Sequence, residues 1–252
     1  MEKKFILTDK FVINSFGIKL FQIKCTKSFK YAQKGDFGGY VEKEGNLDQE
    51  NDAWVFGNAR VFGNARVSSN ARVSGDAWVS DNARVSSNAR VSGDAWVSDN
   101  ARVSGDARVS DNARVSGDAW VFGDALVSGY AWVSGDARVF GNARVSGDAW
   151  VFGNARVSGD AWVFGNARVS GDADIENDNE HCGFDGFGSC NRHTHAYMTK
   201  EKKVEIICGC FRGSIEEFEK KVEETHSGTV YEKQYKSIIN VIKIKFGLTD
   251  FT

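Results

Sequence analysis

The side chains able to do chemistry gather at one end of this 252-residue chain. All four histidines and four of the five cysteines lie beyond Asn177: His181, Cys182, Cys190, His193, His195, Cys208, Cys210 and His226. His193 and His195 are two residues apart, as are Cys208 and Cys210, so in an extended chain each pair shares one strand face. A hairpin with an even loop sets both pairs on the same side, which is a zinc site of mixed Cys/His type: Cys208, Cys210, His193 and His195. The Cys-x-Cys spacing is shorter than that of the standard zinc fingers. Two other readings stand beside it. One is buried structural cysteines with surface histidines; the other is a nucleophile–base pair, Cys210 with His226.

A second set of candidates is spread along a repeat. From Asp52 to Ile175 one six-residue phrase recurs: Asp/Asn, Ala, Arg/Trp, Val, Ser/Phe, Gly/Asp. Alanine falls at every sixth position from Ala53 to Ala173, and no insertion breaks the register. So short a period belongs to β-helices rather than helical repeats. Ala-Arg-Val-Ser alternates in, out, in, out. Gly-Asp or Gly-Asn then turns the corner, because glycine and asparagine tolerate positive φ. Ser68–Val85 and Ser86–Val103 are identical at all 18 positions, which points to an 18-residue coil.

An 18-residue coil sorts the outward residues into three ladders. The first carries Trp54, Arg72, Arg90, Arg108, Leu126, Arg144 and Trp162. The second carries Arg60, Trp78, Trp96, Arg114, Trp132, Trp150 and Arg168. The third carries Arg66, Arg84, Arg102, Trp120, Arg138, Arg156 and Asp174. The second ladder is the most aromatic, and an exposed apolar stripe is a candidate contact surface, carried by Trp78, Trp96, Trp132 and Trp150. The third is nearest to a continuous arginine ladder, with Arg66, Arg84, Arg102, Arg138 and Arg156 as candidates. The other readings of the ladders are a solvated, charge-balanced wall whose Arg and Trp stems shield the sheet, and a surface that binds an anionic polymer or a glycan. Arginines one rung apart repel, so they need counter-charges or aromatic stacking. Corner aspartates such as Asp76, Asp94, Asp136 and Asp148 are the expected counter-charges. The interspersed aspartates also weaken a nucleic-acid reading, which needs a basic groove with stacking rings.

The repeat resembles that of hexapeptide-repeat left-handed parallel β-helices, aliphatic at one position and small at another. That resemblance implies three hexapeptides per triangular coil, hence about seven coils and roughly 34 Å of stack at about 4.8 Å per coil. Gly35-Asp36-Phe37-Gly38-Gly39-Tyr40-Val41-Glu42, and Cys208-Gly209-Cys210-Phe211 in the tail, look like the lead-in and tail of uncharacterised bacterial and phage proteins of this type. The expected fold is mainly β: an N-terminal β cap at 1–40, a left-handed β-helix at 41–176 and a ββαα domain at 177–252. In that tail, Gly183–Ser189 reads as a turn, Arg192–Thr199 and Lys203–Phe211 as strands, and Ser214-Ile215-Glu216-Glu217 as a capping box. A last helix covers Tyr231–Ile244, with Tyr235, Ile238, Ile239 and Ile242 inward.

Composition narrows the function. The net charge of −2 provides no overall field toward nucleic acid or membrane. The apolar runs are too short to span a bilayer, and the N-terminus has no apolar core of signal-peptide length. An odd number of cysteines fits a reduced, cytoplasmic setting. Proteins of the resembling fold include trimeric acyltransferases that use acyl-CoA and a histidine base. The array here has no histidine and no protruding loop, so the acceptor lacks an activating base. The expectation is therefore a non-catalytic scaffold that binds a protein partner or a second copy of itself, in the manner of a phage-type inhibitor of a host factor. A trimeric acyltransferase is the alternative.

Overall fold

In the computed structural model, residues 2–248 are described. Each hexapeptide forms a strand of two residues, from β4 (Trp54–Val55) to β24 (Asp174–Ile175), one every six residues. The strands stack into three parallel seven-membered ladders, each strand pairing with the one 18 residues onward. The register never slips: valine lies on valine, as Val79 on Val97, and outward residue on outward residue, as Arg84 on Arg102 and Trp96 on Arg114. The outward residue donates its N–H to an alanine carbonyl of the next turn, and the residue after valine donates to a valine carbonyl (Trp78 to Ala95, 2.9 Å; Ser80 to Val97, 3.0 Å). The result is a three-walled parallel β-solenoid.

The interior explains the repeat. Every valine from Val55 to Val169 and nearly every alanine is fully buried. Valine fills the middle of a wall, and alanine is the only aliphatic side chain small enough beside the corner. Burying one valine contributes roughly 1.5–3 kcal/mol. The corners need positive φ, supplied mostly by glycine and at Ser69, Asp81, Ser87, Asp99 and Asp111 by other residues near +60°. At Gly75 a Cβ would stand 2.8 Å from the Gly93 carbonyl oxygen, so successive corners nest closely.

At the N-terminal end, β1 (Phe5–Ile13), β2 (Lys19–Cys25) and β3 (Phe37–Val41) form an antiparallel meander. Its turn is held by the Asn14 side chain, which accepts from Phe16 and Ile18 N–H. β3 then pairs in parallel with the second wall, Tyr40 on Arg60. The meander therefore lengthens one wall to ten strands as well as covering an end. β3 and the Leu47–Val67 bridge begin an eighth, irregular turn. Phe5 and Phe29 cover Trp54, which is 1% exposed. The first ladder thus loses its first outward residue to the end of the core.

The C-terminal unit is a four-stranded antiparallel sheet, β25 (His181–Phe187), β26 (Arg192–Met198), β27 (Val204–Cys208) and β28 (Phe211–Ser214), followed by α1 (Ile215–His226) and α2 (Val230–Lys245). Two strands more are present than the ββαα reading expects. The glycine-rich Gly183–Ser189 is mostly strand, with a register shift between Phe184 and Phe187 at Gly186, whose φ is +79°. The second expected strand is cut at Gly209, where φ is +59°. The Ser214 capping box forms, with Ser214 N–H donating to Glu217 Oε2 at 2.8 Å. Tyr235, Ile238, Ile239 and Ile242 are inward on α2, against Phe218 and Val222 of α1.

Candidate binding walls and the histidine junction

The second wall brings Trp78, Trp96, Trp132 and Trp150 onto one face. Trp78 and Trp96 stack at 5.0 Å and 13°, and Trp132 meets Trp150 edge-on at 5.2 Å. Arginines bracket them: Arg60 over Trp78 at 5.1 Å, Arg114 over Trp96 at 5.6 Å, Arg168 over Trp150 at 5.2 Å. Each such contact adds roughly 0.5–1 kcal/mol at an exposed site. Trp132 also donates its indole N–H to Ser116 Oγ at 3.0 Å. Trp96 and Trp150 remain 38% and 40% exposed. The wall is a continuous run of rings and guanidinium planes with no carboxylate among its outward rungs.

The third wall carries Arg66, Arg84, Arg102, Arg138 and Arg156 in register, with Trp120 between Arg102 (4.7 Å) and Arg138 (5.6 Å). The expected corner counter-charges do not serve it. Among the described residues, Arg156 alone of the array arginines has a carboxylate within 4 Å, that of Asp174 at 3.8 Å. Asp76, Asp94, Asp136 and Asp148 lie within 4 Å of no described array guanidinium, and two other corner aspartates turn to backbone: Asp99 accepts from Gly117 N–H at 2.9 Å and Asp111 from Gly129 N–H at 3.1 Å. A short side chain at the corner reaches the amide one turn away more readily than a guanidinium in mid-wall.

The four residues of the expected zinc set are not brought together. Thr194 pairs with Cys208 and His195 with Ile207, so Cys208 and His195 project from opposite faces of the sheet. Cys208 packs with the helices. His193 and His195 face the end of the solenoid. Cys210 lies past the Gly209 turn, so it does not share a strand face with Cys208. It lines a cavity of about 400 Å³ with Arg192, Lys221, Tyr235 and His226, where His226 stacks on Tyr235 at 5.5 Å.

What the sheet does assemble is a histidine junction. His195 Nδ1–H donates to the Arg168 carbonyl at 2.8 Å, which leaves its Nε2 to accept from His181 Nδ1–H at 3.1 Å. His193 Nδ1–H donates to Asp185 at 2.7 Å. Burial pushes His195 down to about 3 and lowers His181, against the raising effect of Asp178. The three imidazoles share a cavity of about 270 Å³ with Phe164, Asp178 and Cys182. Beside it, Tyr197 donates to Glu205 at 2.8 Å and meets Ser170 at 3.4 Å; burial raises its pKa. These contacts bind the sheet to the last turn. His181 and Asp185 join the junction through the β25–β26 pairing, for which the spacing of the histidines gives no signal.

The geometry defines a parallel β-solenoid repeat protein with a small sheet-and-helix unit at its end. Four segments of the array, residues 65–81, 83–99, 107–123 and 137–152, match the family model described as YdcK Beta solenoid repeat. The chain is similar to that family over those segments. The comparison with curated proteins gives no match. No helix among the described residues is long and apolar enough to cross a membrane.

Proposed function

We propose that this chain is a non-catalytic scaffold that docks protein through its second wall. The observation that carries the reading is the in-register run of Trp78, Trp96, Trp132 and Trp150 with its bracketing arginines; Trp96 and Trp150 are its exposed rings, Trp132 is half-buried, and Trp78 is partly covered by Phe16 and Phe62. Tryptophan and arginine are the side chains that most often dominate protein interfaces. They stand on a rigid sheet, so little side-chain entropy is lost on docking. The hexapeptide periodicity and 18-residue turn support a left-handed winding. The lead-in and tail resemblance extends the reading to a phage-type inhibitor that sequesters a host factor. Five free cysteines fit a cytoplasmic setting. A second copy of the chain is one partner this wall can take, and an acidic protein is another.

The test is photo-cross-linking in cells from three positions on one turn. A benzoylphenylalanine replaces Ser98 on the second wall, Ser104 on the third or Ser110 on the first. The expected result is protein adducts from position 98 that far exceed those from 104 and 110. Equal yields from all three walls, or none from 98, contradict the reading.

A further inference from the structure

The positive charge of the array is not evenly satisfied. Seven of its arginines stack on a ring: Arg60, Arg72, Arg102, Arg114, Arg138, Arg156 and Arg168. Among the described residues, Arg66, Arg84, Arg90 and Arg108 have neither a ring nor a carboxylate partner, and Arg144 is the one other array arginine in that state. Those four flank a single edge of the prism. Arg66 and Arg84 lie in register on the third wall, with Arg102 above them. Arg90 and Arg108 lie in register on the first wall, with Arg72 below them. The edge between the walls is Ser68-Ser69-Asn70, then Ser86-Ser87-Asn88, then Ser104-Gly105-Asp106. Asn70 donates its amide to Asn88 Oδ1 at 3.2 Å, which aligns the polar edge. Of the nearby carboxylates, Asp48 is engaged by Asn51 and by Glu50 and Ser69 N–H, and Asp106 sits at the far limit.

We infer that this edge is a binding site for a linear acidic polysaccharide bearing sulfates or carboxylates. Guanidinium groups repeated at about 4.8 Å along two walls repel one another unless an anion lies between them. Sulfate and carboxylate meet arginine through paired N–H donors. Serine hydroxyls and asparagine amides suit the sugar hydroxyls between the anions. Single-stranded nucleic acid needs rings on which bases stack. Here rings stand only at the limits, Tyr31 against Arg72 and Trp120 against Arg102, each with a guanidinium on its face, and no ring lies between them along the edge. A protein partner needs an apolar centre, and the edge has none. The site is separate from the tryptophan wall, so the two readings stand or fall independently.

The experiment is fluorescence anisotropy of a labelled heparin octasaccharide, at low and at physiological ionic strength, with wild type and two triple variants of equal charge loss. Arg84→Ser/Arg90→Ser/Arg108→Ser removes the edge; Arg114→Ser/Arg138→Ser/Arg144→Ser removes charge elsewhere. All six side chains point outward, and circular dichroism checks that both variants fold. The edge variant is expected to lose at least about tenfold in affinity and the other less than about threefold, because paired guanidinium contacts are lost only in the first. Equal losses in both variants, absence of binding by wild type, or tighter binding of an oligothymidylate of equal charge overturns the proposal.

Discussion

The solenoid wall and the histidine junction are built from β-structure by opposite means. In the wall the inward residues hardly vary, and the outward ones change freely between arginine and tryptophan. Each turn touches only its neighbours, so a single rung is replaceable. At the junction nearly every contact occurs once: His195 to the Arg168 carbonyl, His181 to His195, Tyr197 to Glu205. The wall puts its variation outside, on the surface proposed to meet a partner. The junction puts its specificity inside, where it fixes one sheet on one solenoid end. A buried polar contact is valuable when made and costly when half made, so the junction tolerates less change than the outer wall does.

The comparison breaks most severely at the one invariant feature of the wall. Val115→Asp places a carboxylate in a fully buried site with no partner. Leaving such a group unpaired costs several kcal/mol. The expected outcome is loss of the cooperative thermal transition followed by circular dichroism, and a native-like melt would show that the core is not the dry stack described.

A smaller effect separates the junction from the wall by pH. His195 is held at about 3 and His181 is also lowered, both chiefly by burial. A histidine whose folded pKa is depressed contributes stability above its unfolded value of about 6.5, and that contribution is lost as pH falls below it. Junction stability should therefore fall between pH 7 and pH 5 by up to about 1.4 kcal/mol per pH unit for each such group. Measured against the intrinsic exchange rate at each pH, hydrogen exchange of the Thr194–Tyr197 amides should accelerate as the pH falls over that range while that of the Ala113–Val115 amides does not. His195→Gln should flatten the dependence. Equal acceleration in both regions would place the acid sensitivity in the whole molecule.

Much of the wall was legible from sequence because its rule repeats. Alanine and valine at fixed places in a six-residue period define inside, corner and coil. The Ser214 capping box and the apolar positions of α2 were legible for the same reason, as local rules with a fixed period. The exceptions turn on non-local geometry. Trp54 is buried because Phe5 and Phe29 fold back over it, which no period reveals. Array arginines such as Arg102 and Arg114 meet rings in a neighbouring turn rather than corner aspartates, of which Asp99 and Asp111 accept from backbone amides one turn away. Cys208 and Cys210 part company because Gly209 takes a positive φ and ends the strand. The histidine cluster depends on a strand through Gly183–Phe187, whose glycines read as a turn. Gly183 is there for space: a Cβ would stand 2.7 Å from the His193 ring.

The tryptophan wall is the surface on which protein docking is proposed. Its most direct test is the solution mass of the purified chain by light scattering across a wide concentration range, wild type beside Trp96→Ser/Trp150→Ser. Both indoles are two-fifths exposed, so their loss spares the core. Where the partner is a second copy, the wild-type mass rises above the 27.7 kDa of one chain, and the double variant stays at it with an unchanged thermal transition. A wild type and variant that associate equally would contradict it, because the contact would then lie on another face.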